Sequence, residues 1–222
     1  MKFIVLIGDG MADYPIEELG GKTPLQVANI PNMNLIAQKG QLGLVRTIPR
    51  GLPPGSDIAN LSILGYDPKK YYSGRAPLEA ASMGLRLGPE DVAFRCNLVS
   101  LSEKNGKKYM DDFSAGHIPT KEAKEIIQEI DRKLGTEDIK FYPGISYRHI
   151  MVWRNGHDKL DMTPPHDISG KAIDSYLPKG KGEKQILQLM NDSQAVLEAN
   201  RINKKRIKDS KKPANSIWLW GQ

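Results

Sequence analysis

The sequence predicts an α/β protein: a parallel sheet, in part, interrupted by an α+β insert. Three observations carry that expectation. Residues 3–7 (Phe-Ile-Val-Leu-Ile) are continuously apolar and β-branched, the pattern of a strand buried on both faces. Strand-like and helix-like stretches then alternate up to residue 68, as in a doubly wound sheet. Beyond residues 73–77 (Ser-Gly-Arg-Ala-Pro) the composition changes, and polar hairpins and amphipathic helices follow. We therefore expect residues 1–75 and 213–222 to build the sheet domain, and residues 76–212 the insert.

Each element has its own signal. Residues 11–24 are rich in turn formers, with Pro15, Gly20, Gly21 and Pro24. Thr23-Pro24 starts a short helix, with threonine as cap and proline in the first position. Residues 30–40 read as a second helix closing on Gly40. Residues 42–48 read as a second strand. In the insert, residues 92–101 predict a strand and residues 103–108 a polar hairpin turn, returning through residues 109–113. Thr120 is placed to cap a helix whose apolar stripe is Ala123, Ile126, Ile127 and Ile130, with Gly135 as stop. Residues 139–142 and 147–153 are strands, and residues 185–198 form a last helix. Residues 217–220 (Ile-Trp-Leu-Trp) look like a strand returning to the first sheet.

Composition excludes several classes. Of 222 residues, 39% are hydrophobic and 26% charged, as in soluble globular proteins. No apolar run is long enough to span a bilayer, and the one near the start is too short for a signal core; a cytoplasmic location and no membrane partner are expected. The single cysteine, Cys96, excludes an internal disulfide and a cysteine-based zinc site, and its apolar surroundings mark a buried thiol. Net charge is +6, and residues 200–212, with seven basic residues and one acidic, carry an equal excess. No aromatic is interleaved there and no binding motif surrounds it. We read a solvated basic loop rather than a nucleic-acid surface, with Lys204 and Arg206 available to a small anionic substrate.

Two motifs carry chemistry. Residues 53–56 (Pro-Pro-Gly-Ser) fix a tight approach to a helix that starts near Ser56 and ends at Gly65. Free backbone N–H groups at such a start attract anions. Ser56 or Asp57 also fits a simple helix cap. The first predicted strand stops at Gly8-Asp9-Gly10. A carboxylate at a strand end sits where open α/β sheets hold ligands, although an aspartate between glycines is also a common turn. Asp9 with Ser56 suggests a hard metal ion activating an alkoxide nucleophile.

The segments Ile7-Gly-Asp-Gly-Met-Ala-Asp13 and Pro54-Gly-Ser-Asp-Ile-Ala-Asn-Leu-Ser-Ile-Leu-Gly-Tyr-Asp-Pro68 resemble those of the archaeal-type cofactor-independent phosphoglycerate mutases, members of the alkaline phosphatase superfamily. Residues 71–81, 94–98, 112–118 and 213–222 agree in the same order, so the resemblance covers the whole chain. It corresponds to the N-terminal half of the family's longer proteins. The resemblance implies an alkaline-phosphatase-like sheet and interconversion of 2- and 3-phosphoglycerate. It implies two divalent cations (manganese, magnesium, cobalt or zinc) and no 2,3-bisphosphoglycerate cofactor. Ser56 would be the phosphoryl-accepting nucleophile, and Asp9 and Ser56 metal ligands. The insert would hold the small phosphorylated substrate through His117, Arg148, His149, His166 and Asp167. Asn155-Gly156 reads as a turn that leaves His157 exposed. Two alternatives stay open: a catalytically incomplete N-terminal fragment or split-gene subunit, paired with a C-terminal half or with itself, and a phosphatase or phosphonopyruvate-type member of the superfamily.

Overall fold

The computed structural model describes residues 2–222. It divides into two compact units, Met1–Tyr72 and Ser73–Gln222.

The first unit is helical where the capping signals are strong. α1 (Pro24–Val27) carries a capping box: the Thr23 side chain accepts from the Gln26 amide, and Gln26 reaches back to the Thr23 amide. α2 (Pro31–Lys39) stops at Gly40. α3 (Ser56–Ile63) follows the proline–glycine approach, and α4 (Pro68–Tyr71) is capped by Asp67. The strands expected at residues 3–7 and 42–48 are not formed. Phe3 is 85% exposed and Leu44 fully so. A β-prone run needs a neighbour for its N–H and C=O groups, and no described segment supplies one. Among the described residues every strand pairing is antiparallel. The molecule is thus a mixed α/β structure with an antiparallel sheet.

The second unit opens with α5 (Arg75–Ser82). β1 (Val92–Lys104) is its spine. β2 (Lys107–Asp112) folds back on residues 100–104 of β1 across the Asn105–Gly106 turn, where both residues have positive φ. α6 (Thr120–Leu134) follows; its N-cap is Pro119, and the Thr120 hydroxyl accepts instead from the Ser146 amide. β3 (Ile139–Ile145) pairs with β4 (Arg148–Trp153), and β4 with residues 92–97 of β1. β5 (Leu160–Asp161) and β6 (Lys179–Gly180) form a small separate ladder. α7 (Glu183–Ala199) is followed by α8 (Arg201–Lys208), where a solvated loop was expected. The Asn200 side chain caps α8 by accepting from the Ile202 and Asn203 amides.

The last strand, β7 (Ser216–Trp220), forms as expected but not where expected. It pairs antiparallel with residues 95–99 of β1, and all five of its residues are buried. The physical reason is an open stretch of the spine: β2 covers β1 only from Ser100 onward. Asn215 seals the join, accepting from the Leu101 amide and donating to the Leu101 carbonyl.

Strand alternation divides the side chains between two faces. Phe94, Cys96, Leu98, Ile217 and Leu219 join the core shared with α6 and α7. Ala93, Ile150 and Val152 pack under Ala76 and Ala80 of α5. Arg95, Asn97, Arg148, Trp218 and Trp220 lie in register on that second face, beyond the alanines.

Candidate functional site

In the first unit, Gly55 rather than Ser56 is the N-cap of α3, so the Ser56 hydroxyl is not consumed by the helix. It donates to Asp9 Oδ2 at 2.8 Å, across 47 positions of sequence. The two residues singled out from the motifs are therefore in contact, and both are exposed. Asp57 accepts from the Tyr72 hydroxyl at 2.7 Å, which ties the second residue of α3 to the end of α4. Two oxygen donors side by side suit a hard divalent cation. Among the described residues, no group of three or more His, Cys, Asp or Glu could hold a metal.

The second unit gathers most of the other candidates on the free half of the second face. Its walls are aromatic: His166 stands edge-on to Trp220 at 5.4 Å and to Phe113 at 6.0 Å, and Phe113 meets Tyr147 at 5.7 Å. Tyr147 in turn neighbours His117 at 6.2 Å and the Arg148 guanidinium at 5.8 Å. Thus His117, Arg148 and His166 share one surface, with Asp167 Oδ1 3.6 Å from His166 Nε2. Burial lowers the His166 pKa; Asp167 opposes this, while Arg75 and Arg95 reinforce it. His149 lies elsewhere. It pairs with Cys96 across the ladder, on the face that α6 and α7 cover, and is 1% exposed. Its Nδ1 accepts from the Gly144 amide, and its Nε2 has no hydrogen-bond partner. Burial, then the nearby Arg95, pushes its pKa down to about 3, so it is neutral. Lys204 is exposed on α8, and His157 is half-buried against Trp153 rather than exposed.

The motif reading passed over Arg75, Glu79, Arg95, Asn97 and Trp220. The Arg95 guanidinium stacks on Trp220 at 4.7 Å and lies in ion-pair range of Glu79, Nε to Oε2 3.2 Å, without a hydrogen-bond partner for Nε. Glu79 is shared with Arg75 at 3.4 Å. Burial lowers the Arg95 pKa to about 10, with Glu79 opposing and Arg75 and Arg148 adding to the shift; the group stays charged at neutral pH. Three guanidiniums against two carboxylates, Glu79 and Asp167, leave this face net cationic, which suits an anionic ligand. A signal was available: Arg95 and Asn97 alternate with Phe94, Cys96 and Leu98 inside one apolar strand.

The turn bearing His117 has an unusual backbone. Ala115, Gly116 and His117 have φ of 49°, 65° and 49°. Left-handed conformation costs an L side chain about 1–2 kcal/mol per residue. Asp112 Oδ1 accepts from the Ser114 amide and hydroxyl at 2.7 and 2.6 Å, and Ser114 Oγ accepts from the His117 amide at 3.1 Å. Burial works against ionisation of Asp112, yet these Ser114 bonds and Lys212 hold its carboxyl below the usual range.

Comparison with known proteins bears on the whole chain. A family model described as 2,3-bisphosphoglycerate-independent phosphoglycerate mutase matches residues 37–203. The protein of that name from Methanosarcina barkeri is 57% identical over 223 residues, covering 100% of this chain and 55% of its own length. The structure of the PH0037 protein from Pyrococcus horikoshii is 32% identical, with a TM-score of 0.66 over 96% of this chain and 49% of that one. That of the cofactor-independent phosphoglycerate mutase from Thermoplasma acidophilum is 27% identical, with a TM-score of 0.56 over 96% of this chain and 56% of that one. The chain spans about half the length of the curated relatives it matches.

Proposed function

The chain belongs to the 2,3-bisphosphoglycerate-independent phosphoglycerate mutase family, and from that premise we propose that it carries the nucleophile and part of the substrate-holding surface of an enzyme that interconverts 2- and 3-phosphoglycerate. A cytoplasmic location belongs to the same reading. The observation that supports it most directly is the Ser56 hydroxyl donating to Asp9 Oδ2 at 2.8 Å. Ser56 Oγ attacks the phosphorus of the substrate, and the bond from phosphorus to the substrate oxygen breaks. The hydroxyl proton, held on the Asp9 side, is delivered to the departing alkoxide, leaving phosphoserine and glycerate. The return step places the phosphoryl group on the other glycerate hydroxyl and restores the serine proton.

Asp9 and Ser56 would hold divalent cations from one side, as part of an alkaline-phosphatase-like sheet completed by segments outside these residues. Bound cations would supply Lewis-acid stabilisation of the serine alkoxide and the phosphoryl oxygens. The cationic face with Arg95, Arg148, His117 and His166 retains the glycerate, which separates a mutase from a phosphatase. His149 supports the sheet from its other face. A second reading is favoured by the coverage of relatives, 55% of their length, and by the lack of a metal-binding group among the described residues: the 222 residues alone are a catalytically incomplete part. The test of the main reading is Ser56→Ala in the complete protein. Turnover should fall by several orders of magnitude with the fold intact; retention of more than a few per cent of the rate would overturn it.

A further inference from the structure

The left-handed turn Ala115–His117 is clamped by a cation that reaches it from α8. Arg206 Nη2 donates to the Ala115 carbonyl at 2.7 Å. Its Nη1 donates to Glu122 Oε2 of α6 at 2.6 Å, and its Nε to the Lys212 carbonyl at 2.9 Å. The side chain is only 4% exposed. Each edge of the guanidinium fork is thus committed to a different segment. A buried guanidinium is a costly way to fill space beneath a surface turn, whereas its rigid fork suits a clamp. Strained backbone persists only where its surroundings over-determine it, and it concentrates at functional positions. What the clamp presents is the exposed His117, whose ring lies 6.2 Å from that of Tyr147.

We infer that Arg206 is a positioning residue: it locks the Ala115–His117 turn so that the His117 imidazole stands beside Tyr147 and retains glycerate while the phosphoryl group is on Ser56. This rests on the function proposed above and names a device that function needs. Loss of the clamp has a chemical signature. With glycerate free to leave, a water oxygen attacks the phosphoserine phosphorus, the bond from phosphorus to Ser56 Oγ breaks, the serine regains a proton, and inorganic phosphate departs.

The experiment uses the complete protein with 3-phosphoglycerate and reads mutase turnover and inorganic phosphate release together. Arg206→Gln should raise phosphate released per mutase turnover about tenfold and raise KM. Arg206→Lys, which keeps the charge but not the fork, should fall between wild type and glutamine. In a His117→Ala background neither substitution should shift the ratio further, because both act through that side chain. A purely structural role lowers both rates in proportion to the folded fraction and leaves the ratio unchanged; that result overturns the inference, as does an additive effect with His117→Ala. Should the Arg206 variants fail to fold, Ser114→Ala frees the His117 amide from the other side of the turn. It should raise the ratio in the same direction, and an unchanged ratio there also overturns the inference. Failure of the inference leaves wild-type turnover dependent on Ser56. Failure of the proposed function shows instead as wild-type protein without turnover, or with turnover indifferent to Ser56→Ala, and takes this inference with it.

Discussion

Acidification should destabilise the second unit through a single buried imidazole. His149 has an ordinary pKa of about 6.5 when unfolded, and in the folded chain it is pushed down to about 3 by burial and by Arg95. Protonation would also place a hydrogen on Nδ1, where the Gly144 amide already donates at 3.0 Å. Below pH 6.5 the unfolded chain binds a proton that the folded chain refuses. Stability therefore falls as pH falls, from about 6.5 down toward 3. Between pH 7.5 and 5.0 the loss from this group is about 2 kcal/mol. The assay is urea unfolding at several pH values, followed by the fluorescence of Trp153, Trp218 and Trp220, all of which lie in Ser73–Gln222. His149→Asn keeps an acceptor near the Nδ1 position and cannot titrate, so its absolute stability changes but most of the slope should vanish. The His166 pKa is also lowered by burial, so His166→Asn, at a half-exposed position, should remove a smaller part of the slope. Asp112 adds its own loss only as pH falls from the ordinary carboxylate value toward its lowered one. Equal slopes for wild type and His149→Asn would refute the reasoning.

Asn203 binds Leu197 and Ala214 through three hydrogen bonds of 2.7–2.9 Å at a buried site. Asn203→Ala should therefore cost about 3 kcal/mol, since it strands the Ala214 amide and carbonyl; a denaturant midpoint within error of wild type would contradict this. In the complete protein, exhaustive chelation should stop mutase turnover and manganese should restore it, because Asp9 and Ser56 offer only hard oxygen donors; full activity after chelation would refute a metal role. The 222-residue chain assayed alone with manganese should show no turnover, since two donors do not outcompete water for a catalytic cation; robust activity, with the mass verified, would refute the incomplete-part reading.

Much of the second unit was legible because its signals are local. The α6 stripe, the Asn105–Gly106 turn and the apolar runs of β1 and β4 each encode their own conformation, and each formed. The basic stretch misled for a local reason of its own. Charge density pointed to a solvated loop, whereas the Asn200 cap and the burial of Asn203 and Arg206 make it a packed helix. Arg148 and His149, both expected to hold substrate, are parted by strand geometry, because neighbours in a strand face opposite ways.

By itself the sequence determined the Asp9–Ser56 motif, the Thr23 cap of α1 and the Gly40 stop of α2, and the strand character of residues 217–220. It could not determine which strand residues 216–220 would join, because pairing depends on which edge of β1 is left free. Nor could it single out Arg95 or the cationic face, or show that Arg206, expected to be available to an anionic substrate, is buried and tied to the Ala115 carbonyl. Those follow from register and from segments far apart in sequence, such as Arg206 and Ala115, and only the folded chain brings such partners to hydrogen-bonding distance.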